Sequence, residues 1–153
     1  MLACLAMLAA SGIATTAAAL APVRRALTVG DITVQAEVAE TAAMRQRGLS
    51  GRAAGTDDVA MLFVFPRPAR PCFWMKNTAS SLSLAFIDAQ GVIRQRAALR
   101  PNDERRVCAR QPIRWALEVT AHSPGAQQLQ VGQQVHGLPK AAPPGRQPPR
   151  WSR

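Results

Sequence analysis

The sequence predicts one mainly β domain of the β-rich α+β type, a barrel-like arrangement of short, mostly antiparallel strands with one or two short helices. Three observations predict it. Apolar and polar residues alternate with period two in several short stretches. Turn-forming Gly, Pro and Asp residues separate those stretches at close intervals. Only two segments exchange that alternation for a helix-forming composition, and both are too short to serve as the crossovers of a parallel sheet.

At 153 residues the chain suits a single domain with tails, long enough to bury most of its apolar surface. Residues 1–21 begin with "MLACLAMLAASGIATTAAAL", which carries no charge, and read as a signal peptide or an N-terminal apolar anchor. The small residues Ala17, Ala18, Ala19 and Ala21 favour cleavage. No Lys or Arg precedes the run, while Arg24 and Arg25 follow it, a bias that suits a retained anchor or a start placed too early. Residues 22–137 form the expected domain. Residues 138–153, "LPKAAPPGRQPPRWSR", hold five prolines without apolar periodicity and read as a disordered tail.

Within the domain, "RALTVGDITVQAEVAE" alternates at Ile32, Val34, Ala36 and Val38 and turns at Gly30-Asp31, which predicts a hairpin. Thr41 can cap a short helix over Ala42 to Arg47, and Gly48 can close it in the left-handed conformation. "GTDD" marks a turn. The apolar run Val59 to Phe65 predicts a strand that Pro66, Pro68 and Pro71 end. "CFWMKNT" reads as a further strand, and "SLSLAFIDAQGVIRQRAAL" as two strands joined at Asp88-Ala89-Gln90-Gly91. After the charged loop "RPNDERR", "RWALEVTA" predicts a strand with Trp115, Leu117 and Val119 on one face. "SPGAQQLQVG" predicts one helical turn, and "QQVHG" a last short strand.

The formal charge is +10, with Lys140, Arg146, Arg150 and Arg153 all in the last sixteen residues. The remaining cations are scattered among acids, and no helix-turn-helix, RNP or zinc-finger pattern accompanies them, so specific nucleic-acid binding is not expected. An exported basic protein would meet envelope phosphates and acidic head groups instead. His122 and His136 stand isolated and no carboxylate set has metal spacing, so neither a metal nor a cofactor is expected. Neither histidine stands in a recognisable relation to Ser80, Ser81 or Ser83, and no catalytic residue is assigned. Removal of the leader with Cys4 would leave Cys72 and Cys108, either bridged in an oxidising compartment or present as two buried thiols.

The densest chemistry lies at Phe73 to Thr78. On a strand, Cys72, Trp74 and Lys76 point one way and Phe73, Met75 and Asn77 the other. Trp74 and Lys76 then offer an indole face and an ammonium to a sugar or an anion; the competing reading has Trp74 cover a barrel mouth while Lys76 reaches water. Asn77 and Thr78 either join that surface or form the turn after the strand. Arg45 and Arg47, with Arg52 soon after, can hold a carboxylate or phosphate in fork geometry, or else form a solvated face or pair with Glu37, Glu40 or Asp58. Glu118 falls opposite the Trp115 face, either as a partner for Lys76 or an Arg, or as an exposed strand glutamate.

The order "EVAETAAMRQRGLSGR", "MLFVFPRPARPCFWMKNT", "LAFIDAQGVI", "ALEV" and "QLQVGQQV" resembles domain-of-unknown-function family 192 (DUF192) over about residues 31 to 136. Phe73 to Thr78 is its most specific part. The resemblance implies a small, β-rich, exported or membrane-tethered protein and assigns no activity. The family's proline, leucine and aspartate after the Asn-Thr correspond here to Ser81, Leu82 and Ser83, so the acid suited to pair with Lys76 is missing. Its glycine before "MLF" is Ala60, and another is replaced near His122.

These readings predict a monomeric, exported envelope protein, periplasmic or held at the membrane by residues 1–21. It would bind an unidentified small molecule or envelope component, an anionic one suiting Arg45, Arg47, Trp74, Lys76, Asn77, Thr78 and Glu118. The alternatives are a hydrolase of an envelope polymer using Glu118 or Asp88 as acid or base, and a structural or assembly protein.

Overall fold

The computed structural model describes residues 21–53 and 59–140. The leader up to residue 20, the turn at 55–58 and the tail from 141 lie outside the described residues. The element order is β1 (Arg24–Val29), β2 (Ile32–Ala39), α1 (Ala42–Arg47), β3 (Ala60–Ala69), β4 (Cys72–Phe73), β5 (Leu82–Ile87), β6 (Ile93–Leu99), β7 (Val107–Cys108), β8 (Ile113–Thr120), α2 (Pro124–Gln128) and β9 (Val135–His136).

Seven strands form one curled, half-barrel sheet in the order β6-β5-β8-β3-β2-β1-β9. All neighbours are antiparallel except β2 and β3. The two edges meet at one end, where Val92 bridges Gln134 and the Ile93 N–H donates to the Gln133 carbonyl at 2.9 Å. That contact covers part of the open edge, which would otherwise present unpaired backbone groups.

The local chemistry explains the joints. Gly30 takes φ 57° in the two-residue turn between β1 and β2, a left-handed value that glycine reaches without a Cβ clash. The Thr41 hydroxyl accepts from the Met44 N–H at 3.2 Å and starts α1; the Gly48 N–H donates to the Met44 carbonyl at 2.9 Å and ends it. Ser123 caps α2 in the same way. Asp88 holds the turn between β5 and β6, accepting from the N–H groups of Gln90 and Val92 at 2.9 Å each and pairing with Arg94.

Both faces of the central strands are covered. On one face Leu27, Leu62, Ile87, Leu117 and Leu129 pack together. On the other, Phe63, Met75, Leu82, Leu84, Phe86 and Ile113 form a second core beneath α1 and the β4–β7 ribbon. β5 is buried along its whole length, which is why "LSLAFI" shows no alternation of polarity. Fully burying side chains of the size of Leu117 and Phe86 is worth roughly 1.5–3 kcal/mol each.

Two expectations need correction. The strand from Val59 does not stop at Pro66: β3 continues to Ala69, with its register to β8 broken between Val64 and Ala69. Pro66 and Pro68 sit in that break, where no ladder N–H is required of them. "CFWMKNT" is a strand only at Cys72 and Phe73. It pairs with β7, which the charged loop had concealed. Of the two readings of Cys72 and Cys108 the bridged one holds: they lie opposite each other in that pairing, largely exposed, and form a disulfide.

Candidate functional site

A cleft of about 350 Å³ opens on the second face between α1 and the β4–β7 ribbon. Its floor comes from the core. Phe63, Met75 and Leu82 are each no more than 2 % exposed, and Phe65 is nearly as buried. Phe73 stands on edge against Phe63, at 5.0 Å between ring centroids, and against Phe86 at 5.7 Å, so the aromatic wall is fixed by packing.

Glu118 joins this apolar lining. In β8 it sits between Met61 of β3 and Leu84 of β5, on the face opposite Trp115, and only 5 % of it is exposed. It is therefore not the exposed strand glutamate of the competing sequence reading. No hydrogen bond or ion pair among the described residues reaches its carboxyl. Burial with no compensating partner pushes the carboxyl up to about 8, which favours the protonated form at neutral pH.

The rim has the opposite character. Arg47, Trp74, Lys76 and Arg106 line the opening and are exposed. Arg47 and Lys76 make no side-chain hydrogen bond or ion pair among the described residues, and Arg106 lies 5.2 Å from the Trp74 ring centroid in a cation–π contact. Among the described residues Glu118 is the one acid lining the cleft. Three exposed cations thus line an apolar slot that also holds a buried carboxyl.

Arg45 also lines the cleft, but it is committed to the scaffold. Its Nη1 donates to the Glu40 carbonyl at 2.6 Å and to the Val64 carbonyl at 2.9 Å, and its guanidinium lies over Phe65. The reading that this arginine cluster pairs with nearby acids holds for Arg52 alone among the described residues: Arg45 is taken up by backbone carbonyls, and Arg47 is exposed with no ion pair. Arg52 makes the bidentate pair with Glu37, assisted by Arg24, and holds that carboxyl below its ordinary range. Asp58 lies outside the described residues.

Thr78 lines the cleft as a buried turn residue, its hydroxyl donating to the Lys76 carbonyl at 3.4 Å. Asn77 does not line it. The extended run of Cys72 to Met75 ends in a turn closed by the Thr78 N–H on the Met75 carbonyl, with Asn77 at φ 53°. Strand alternation therefore does not carry Asn77 inward, and its carbonyl accepts from the Gly51 N–H at 2.8 Å. Of the seven candidate ligand-binding residues, the cleft brings together Arg45, Arg47, Trp74, Lys76, Thr78 and Glu118.

Sequence reading missed Arg106, which sits among other charged loop residues and is set apart only by the β4–β7 pairing. It also misjudged the acid to compare with Glu118. Ser83 pairs with Val119 and shares the first-core face with Ala85 and Ile87, so an acid at that position would point away from the cleft. Asp88 does not line the cleft either, and its oxygens are occupied by the β5–β6 turn and Arg94.

Two solved structures share the fold. One, a candidate transcription regulator from Sinorhizobium meliloti 1021, is 25% identical with a TM-score of 0.70, covering 78% of this chain and 98% of its own. The other, a protein of unknown function from Novosphingobium aromaticivorans DSM 12444, is 26% identical with a TM-score of 0.64, covering 82% of this chain and 99% of its own. No curated protein matches the chain. The family model for DUF192 (Uncharacterized ACR, COG1430) matches residues 25–137, from the first strand through the last and across the whole cleft, and the chain belongs to that family.

Proposed function

We propose that this domain is a non-catalytic binding module of an exported envelope protein, and that it takes a small molecule into the cleft between α1 and the β4–β7 ribbon. One observation carries the reading: Glu118 is a buried carboxyl without a partner, placed in an apolar cleft rimmed by unpaired cations. No described residue hydrogen-bonds this carboxyl, which leaves its hydrogen-bonding capacity to a ligand in the cleft. Catalysis by acid and base would need a second titrating group converging on Glu118, and Asp88 is held elsewhere. The exposed Cys72–Cys108 bridge supports placement in an oxidising compartment.

The name of the Sinorhizobium protein raises gene regulation as a role. The two helices among the described residues span six and five residues, too short to form a helix-turn-helix reader, which favours the cleft over a nucleic-acid surface.

The test is a thermal-shift and tryptophan-fluorescence titration of the purified domain with the small-molecule fraction of the producing cell's envelope. A response that disappears in a W74A/K76A double variant is the expected result. No response, or one unchanged in that variant, would remove the cleft from consideration.

A further inference from the structure

We propose that the cleft is built for an amphiphilic anion of about a dozen non-hydrogen atoms, with its oxyanion head at Arg47, Lys76 and Arg106 and a hydrogen-bond acceptor at its far end meeting Glu118. This rests on the cleft being a binding site, and it adds the chemical class of what enters. The size follows from the volume: about 350 Å³ is the room of about a dozen waters at ~30 Å³ each, at the small end of ligand pockets.

The order of groups along the cleft fixes the polarity of the ligand. Arg47, Lys76 and Arg106 are the exposed cations of the cleft in which Glu118 is buried, and no other acid among the described residues lines it beside them. Charge complementarity at an entrance selects against cations and favours anions. Beyond the rim, Phe63, Phe65 and Phe73 offer aromatic surface, which favours a ring or a short alkyl body.

At the floor a protonated carboxyl is a donor, whereas an ionised one accepts only. With Met61 and Leu84 beside it and no cation among the described residues paired to it, Glu118 favours its protonated form, and the O–H it then offers suits a carbonyl, ether or hydroxyl oxygen at the buried end of the ligand. The opposite arrangement, an amine that ionises Glu118, would require a cation to cross the cationic rim. A ligand with an anion at both ends would have to bury its second charge among Phe63, Met75 and Leu82, and a purely apolar ligand would leave the acid unsatisfied.

The probe series is 4-(4-acetylphenyl)butanoate, 4-phenylbutanoate, 4-phenylbutanol and 4-phenylbutylamine, titrated calorimetrically into the full domain at pH 7. The expected order is acetylated anion, plain anion, alcohol, amine. The acetyl group is expected to tighten binding about three- to tenfold, the range of one net hydrogen bond. Glu118→Gln keeps an N–H donor and retains the acetyl preference, whereas Glu118→Leu abolishes it. The double variant K76Q/R106Q, on the exposed rim, narrows the gap between anion and amine without changing the acetyl preference, so the reading is testable even where E118L does not fold.

A preference for the amine, or an acetyl preference that survives E118L, overturns the proposed class while leaving the cleft as a binding site. Failure of all four probes to bind at millimolar concentration also overturns the class. In that case the envelope-fraction titration, which depends on Trp74 and Lys76 and not on these probes, separately decides whether the cleft binds anything.

Discussion

Replacing Glu118 with glutamine makes the role of its proton measurable as stability. The fold pushes this carboxyl from an ordinary 4.5 up to about 8 through burial alone. Between those two values the folded protein holds a proton that the unfolded chain has released. Folding therefore takes up a proton in that window, and stability falls as pH rises through it. Below 4.5 the acid is neutral in both states and contributes no pH dependence. Above about 8 it is ionised in both, and the whole cost of burying the charge is present. At about 1.4 kcal/mol per pH unit, a rise from pH 5 to pH 9 crosses about three units of the window and removes roughly 4 kcal/mol. Glutamine has the same shape and no proton to lose, so the E118Q variant lacks this slope. Urea unfolding of both proteins at pH 5, 6, 7, 8 and 9 gives the comparison, since the two differ at position 118 alone. The wild type is expected to match E118Q within about 1 kcal/mol at pH 5 and to fall progressively below it. Parallel curves across the range would show an ionised Glu118, its charge offset by Arg45, Arg47, Lys76 or Arg106 at the cleft, and would refute the reasoning from burial.

Three further outcomes follow from the same structure. Replacing both Cys72 and Cys108 with serine is expected to lower unfolding stability by about 3–4 kcal/mol, from the chain-entropy model applied to the separation of 36 residues; denaturant midpoints with and without reductant on the wild type check it. Replacing Arg52 with glutamine leaves Glu37 with only the more exposed Arg24 and is expected to cost about 1.5–3 kcal/mol at neutral pH. Because the folded Glu37 carboxyl lies below its ordinary 4.5, that contribution is present above 4.5 and disappears as the pH falls through the folded value, so unfolding curves at pH 7 and pH 3 should show the R52Q difference shrinking. At Asn77, held at φ 53°, alanine is expected to cost about 1–2 kcal/mol while glycine is tolerated, which a thermal-melt comparison of N77A and N77G measures.

The parts of the fold that sequence made legible are those determined within a few residues. The Gly30 turn, the Thr41 cap, the Asp88 to Gly91 turn and the Trp115, Leu117, Val119 face each depend on local backbone chemistry or strand alternation, and each appears in the structure. What was not legible depends on partners distant in the chain. Phe73 to Thr78 looked like one continuous strand because its residue types suit a strand, yet β4 ends at Phe73, where its pairing with Val107 ends and the Met75 N–H turns to the Asp103 carbonyl. That exchange converts Asn77 from a candidate ligand into a turn residue and brings Arg106 beside Trp74.

Glu118 stands between these cases. Alternation correctly placed it opposite Trp115, but alternation reports only which face a side chain takes, not what covers that face. Its burial follows from two longer-range arrangements: β8 lies centrally between β3 and β5, and α1 and the β4–β7 ribbon pack over the second face. The same geometry reverses the meaning of Ser83. The aspartate expected at that position by family resemblance had suggested that this chain lost its acid, but the strand register turns position 83 toward the first core. The acid that lines the cleft is instead Glu118, in "ALEV", where Met61 and Leu84 on the neighbouring strands bury it and raise its carboxyl above the ordinary range.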